Sequence, residues 1–175
     1  MKTILKKIFQ NFLYGFPLIA LFLLVFTGFD FSFVIYETSF SFNFAYLIIF
    51  FWVLKKPESI GFGLIFFAGI INDVVQNFPI GITSVNFLLL CAIAAFIRNR
   101  ILVPNILYDW VLFFIATLIV SSINYTVLTI IFHFPMKYGT LMSSLFVTFL
   151  FYPIFSNIFN QINLLSTRQE DAEQN

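Results

Sequence analysis

Apolar runs broken by short polar or charged punctuation set the plan of this chain. Residues 12–29 form the first run, after a start that carries Lys2, Lys6 and Lys7. Residues 30–41 mix Asp30, Glu37 and several Ser and Thr residues with aromatics, which predicts a loop or an interfacial segment. The next run, 42–54, is short for a span. At about 1.5 Å per residue it covers roughly two-thirds of a ~30 Å hydrocarbon core. The helix is therefore expected to begin earlier, near Ser39, or to lie beside a thinned interface. It closes at Lys55-Lys56-Pro57-Glu58, where Pro57 can open the following helix.

A third helix is predicted over residues 59–77, and Pro79-Ile80-Gly81 joins it tightly to a fourth over 82–97, closed by Arg98-Asn99-Arg100. The fifth covers 105–132 and is long enough to tilt. His133-Phe134-Pro135-Met136-Lys137 is read as a turn. The sixth covers 141–162, with Pro153 expected to kink it, and the polar tail is expected to be disordered. The division is thus a basic start at 1–11, a six-helix transmembrane bundle at 12–162 and a tail at 163–175.

Composition fixes the solvent. Of the 175 residues, 61% are hydrophobic and 10% charged, whereas a soluble chain is about a quarter charged. The fold class is an all-α integral membrane protein. No small-residue cleavage site follows the first run, so that run is read as an uncleaved helix. Six spans put both termini on one side. Eight of the nine Lys and Arg residues then fall on that side, with Lys137 alone opposite. Cations collect in cytoplasmic loops, so both termini are expected in the cytoplasm. Nine scattered cations make no phosphate-binding face, which excludes a nucleic-acid partner.

Candidate chemistry concentrates in residues 61–81, GFGLIFFAGIINDVVQNFPIG. Gly61, Ile65, Gly69, Asp73 and Asn77 recur every four residues and share one helix stripe. Gly61 and Gly69 would let a neighbouring backbone approach. Asn72 and Gln76 flank Asp73, and Pro79 and Gly81 shape the turn beyond. A carboxylate costs about 2.5–3.5 kcal/mol to insert at a helix centre, so Asp73 requires partners. No Lys or Arg lies within a span; the polar options are Ser84, Asn86, Ser121, Ser122, Asn124 and His133. Asp73 is either a relay or ligand group, or a strut that fixes the turn; without a cationic partner the strut is favoured.

Other chemistry is absent by the same reasoning. Asp109, at the start of the fifth helix, reads as an ion pair or cap near Arg98 and Arg100, with Tyr108 and Trp110 as interface anchors. The single histidine has no companion ligands, so no metal or cofactor is expected. No serine has a base in its segment, and no phosphate loop or HExxH is present. Cys91 reads as a buried inert thiol.

The pattern Phe66-Phe67-Ala68-Gly69-Ile70-Ile71-Asn72-Asp73, then Pro79-Ile80-Gly81, and Tyr152-Pro153 in the last helix, resembles the bacterial rod shape-determining membrane protein family MreD. Recognisable residues lie within 52–100 and 152–163; elsewhere the resemblance is one of topology. It implies a non-enzymatic inner-membrane scaffold for peptidoglycan synthesis. The implied partners are MreC, RodA, a class B penicillin-binding protein and, indirectly, MreB, in a lipid setting. It also implies a fold like the substrate-binding S-components of energy-coupling-factor transporters. A second expectation follows from that fold: a vitamin-binding subunit or small transporter. Against it, those subunits carry Ala-x-x-x-Ala in the first helix, where this chain has Ala20 alone.

Overall fold

The structure, a computed structural model, describes the backbone of residues 2–28, 31–35, 38–100, 105–133 and 138–174. Side chains are described over 15–28, 42–100, 105–133 and 138–164. The side chains of the basic start, of Asp30, Glu37 and Lys137, and of the polar tail lie outside these.

The described residues form six α-helices: α1 Lys2–Thr27, α2 Phe44–Lys55, α3 Phe62–Gln76, α4 Ile82–Arg100, α5 Ile106–Thr126 and α6 Tyr138–Gln174. Among the described residues, three stretches are long and apolar enough to cross a membrane: Ile82–Arg100, Ile106–Ile131 and Tyr138–Leu164. This is the composition of a membrane protein. The described stretches Gly15–Thr27, Phe44–Lys55 and Phe62–Gln76 are apolar but shorter.

Several boundaries depart from the sequence reading. Residues 30–41 are not simply a loop. Strands β1 Phe31–Ile35 and β2 Thr38–Phe42 pair antiparallel, with Phe31 opposite Phe42 and Phe33 opposite Phe40. β2 packs on α6, and the Phe42 ring lies 5.3 Å from Phe151 and 5.7 Å from Phe155. Because the hairpin takes residues 38–42, α2 starts at Phe44 and not near Ser39. α1 takes in the basic start and carries Pro17 internally. α6 runs on to Gln174, so the tail backbone is helical where disorder is expected; Pro153 lies inside it without ending it. α5 leaves regular geometry at a π-helical segment, Val127–Ile131, where a continuous helix is expected.

α2 explains the packing. Every residue from Tyr46 to Leu54 is buried. A helix that is apolar all round has no solvent face to keep and belongs in the middle of a bundle. α1, α4 and α6 pack around it. Phe50 sits edge-on to Phe113 at 5.2 Å and to Tyr152 at 6.1 Å. Phe113 and Tyr152 stack at 4.5 Å. Between α5 and α6, Trp110 stacks on Phe149 at 4.7 Å, and its Nε1–H donates to the Phe149 carbonyl at 2.8 Å. Trp110 is thus an inter-helix clasp, not simply an interface anchor; Tyr108 stays exposed.

Candidate functional site

The tightest helix contact in the bundle places the site. α3 packs most extensively on α4. A Cβ built on Gly69 would meet the Ser84 backbone nitrogen at 2.6 Å and its hydroxyl at 2.7 Å. Only a residue without a side chain lets the two backbones come this close. The Ser84 hydroxyl then donates to the Phe66 carbonyl at 2.9 Å, tying α4 to the preceding turn of α3. The buried stripe of α3 is Ile65, Ala68, Gly69 and Asp73. Gly61 is not part of it. It is the exposed N-cap of α3, and a Cβ there would touch only Leu64 of its own helix, at 3.8 Å.

Asp73 is fully buried, and its partners are backbone groups. Its Oδ2 accepts from the Gly81 N–H at 2.7 Å, and the Thr83 N–H donates to Oδ1 at 3.0 Å and to Oδ2 at 3.3 Å. These donors lie at the start of α4, where amides lack intrahelical acceptors and the helix dipole favours negative charge. A carboxylate accepting several N–H bonds is strongly held. The Asp73 main chain serves the turn as well. The Phe78 N–H donates to the Asp73 carbonyl at 2.9 Å, and the Asn77 N–H to the Val74 carbonyl at 3.4 Å. With Asn77 in the left-handed region at φ 57°, this is a Schellman closure. Gly81, at φ +102°, makes the second bend. The Ile82 N–H donates to the Pro79 carbonyl at 3.4 Å between the two bends. Thr83 could have been found from its place in the first turn of α4, two residues past Gly81.

Beside this turn lies a polar pocket of about 110 Å³. Asn72 and Gln76 of α3 line it, with Thr83 and Asn86 of α4, Asn124 of α5 and Asn43 ahead of α2. The Asn72 Nδ2 donates to the Thr83 hydroxyl at 3.3 Å. Leu24 and Val25 of α1 close one side. The C-terminal ends of α1, α3 and α5 therefore meet the N-terminal ends of α2 and α4, as an up-and-down bundle requires. Of the sequence-predicted set, the structure brings Asn72, Asp73, Gln76, Asn77, Pro79 and Gly81 together at this end. Pro153 is not among the residues at the turn or the pocket.

The second buried acid lies at the opposite end. Asp109 is 4% exposed, and its carboxylate meets the Lys55 ammonium at 2.7 Å. The expected partners were Arg98 and Arg100. Both are exposed at the end of α4, whereas Lys55 closes the buried helix α2 and points its charge into the bundle edge. The α5 cap is instead Asn105, whose Oδ1 accepts from the Leu107 N–H at 3.1 Å. Cys91 is buried and His133 exposed. Among the described residues, no three His, Cys, Asp or Glu side chains cluster as metal ligands would. Comparison with protein-family models, curated proteins and solved structures finds no match.

Proposed function

We propose that this chain is a non-enzymatic scaffold subunit of a bacterial cytoplasmic membrane, resembling the MreD family of rod-shape proteins. It would support peptidoglycan synthesis by binding MreC, RodA and a class B penicillin-binding protein, with MreB reached indirectly. One observation carries the reading: both oxygens of Asp73 are occupied by backbone N–H groups of the next helix. An acid so held serves architecture, as a strut does, and is poorly placed to pass protons or grip a substrate. Gly69 and Asp73, which anchor the family-like pattern, are the residues that join α3 to α4. In this reading both termini would lie in the cytoplasm, since eight of the nine cations fall on that side if the chain spans six times.

The decisive experiment is co-purification in mild detergent with the MreC- and RodA-type proteins of the same cell. Recovery of both, and loss of rod shape on depletion, is expected; recovery of neither ends the scaffold reading. The competing reading, a vitamin-binding subunit, is favoured by the polar pocket. It requires a vitamin that raises thermal stability by about 2.7 kcal/mol at a hundredfold excess over its dissociation constant.

A further inference from the structure

The polar part of the pocket wall is dominated by one kind of group. Five carboxamides line it, from Asn43, Asn72, Gln76, Asn86 and Asn124, together with the Thr83 hydroxyl. Among the described residues, no Asp, Glu, Lys, Arg or His side chain lines it; the Asp73 carboxylate beside it is engaged by the turn. An Asn on a helix exposed to hydrocarbon is costly, and so is a buried amide left without partners. Two residues mark the pocket as more than a wet surface dip. Asn86 is 4% exposed, so its amide is inside the fold. The Asn124 Oδ1 is buried and accepts no hydrogen bond. The side chain of Asn43 is also not spent on capping α2, although Asn43 occupies the cap position.

We propose that this pocket binds an uncharged, hydroxyl-rich group: a short polyol or one edge of a sugar ring. The argument is one of matching. A carboxamide offers an acceptor and two donors side by side, and each hydroxyl both donates and accepts. Adjacent hydroxyls therefore satisfy adjacent amides, as a ligand with acceptors alone cannot. Neutral walls give a charged ligand nothing to offset its desolvation. The volume of about 110 Å³ suits three or four hydroxylated carbons more than a whole disaccharide. Phe44 and Phe87 add apolar wall against which the C–H face of such a group can rest. A free solute and the headgroup of a glycolipid share this chemistry. The site does not depend on whether the chain is a scaffold or a transporter.

The test uses the full chain in nanodiscs. In one arm, D-glucose and myo-inositol are titrated as free probes, with glucuronate and glucosamine as charged controls. In the other, glucosyl diacylglycerol is incorporated and retention is read by native mass spectrometry against phosphatidylcholine alone. Saturable binding of a neutral probe is expected in at least one arm; binding in the lipid arm alone assigns the headgroup. Asn124→Leu is the first variant. It removes an amide whose oxygen has no partner, so its melting temperature should hold or rise while binding weakens about tenfold. Asn86→Leu should weaken binding similarly. The proposal is overturned if neither arm binds, if the charged sugars bind as well as glucose, or if Asn124→Leu binds like the original chain.

Discussion

Two buried carboxylates sit at opposite ends of this bundle and are neutralised by different means. Asp73 is held by the backbone of α4, through Gly81 and Thr83. Asp109 is held by one side chain, Lys55. Backbone amides at a helix start are in place as soon as the helix forms and cannot rotate away. An ammonium on a four-carbon stem can leave for water. The Lys55 side chain is 24% exposed and the Asp109 side chain only 5%, so the pair is unequal: its cation can turn to water and its anion cannot.

That inequality gives the largest expected effect. Lys55→Met leaves Asp109 as an uncompensated buried charge and should destabilise by about 3–5 kcal/mol, measured by SDS-titrated unfolding. The double change Lys55→Met with Asp109→Leu should recover most of that loss. A double variant as weak as the single one would break the account of this end.

At the other end, Gly69→Ala should cost about 3 kcal/mol. The new methyl faces the Ser84 backbone, which cannot yield as a side chain could. A melt unchanged from the original would mean that α3 and α4 are not in this contact.

Asp73→Asn sharpens the comparison further. From the sequence, an amide looks like an adequate strut. With both oxygens accepting N–H groups, an Asn must turn its own NH2 toward one of them. The expected loss is about 2 kcal/mol, checked by the same unfolding assay, with rod shape scored alongside at matched expression. Loss of rod shape at unchanged stability would instead assign Asp73 a charge-dependent role.

The smallest effect has the opposite sign. A Cβ on Gly63 meets nothing within 4 Å. Gly63→Ala should therefore stabilise α3, by about 0.5–1 kcal/mol on helix propensity, a small rise in melting temperature. Gly63 and Gly69 look alike in sequence and should respond in opposite directions.

The six apolar segments and the turn at residues 79–81 were legible in the sequence, because hydropathy and Pro-Gly punctuation are local signals. That Asp73 needs hydrogen-bond partners near the turn was legible too, but which groups supply them was not. Backbone amides carry no letter in a sequence, so the donors at Gly81 and Thr83 have no side-chain signature. The hairpin left a trace that went unused: Phe31-Ser32-Phe33 and Phe40-Ser41-Phe42 alternate with period two. Tyr36-Glu37 between them lacks the Asn-Gly type of turn signal that would have drawn attention. α2 is ambiguous in sequence for a related reason. Its composition says apolar but not whether lipid or protein surrounds it, and a central helix need not match the bilayer thickness. Lys55 and Asp109 are far apart in the chain, so only the fold reveals them as a pair.

The reach of Asp73 across the turn also bears on how the chain enters its membrane. Until residues 81–83 have been synthesised, its carboxylate has no donors, and α3 must carry an unpaired charge beside lipid. α3 and α4 should then enter as one helical hairpin, with the second helix supplying what makes the first acceptable. A chain truncated after Gln76 should leave α3 unintegrated, while one extended through Arg100 should integrate both, as read by whether a membrane-impermeant thiol reagent labels, from outside, a cysteine placed just after Gln76 in a Cys91→Ala background. Equal integration of the two lengths would contradict this order. For a protein so rich in phenylalanine, the step that limits insertion would be set by one acid waiting for residues 81–83.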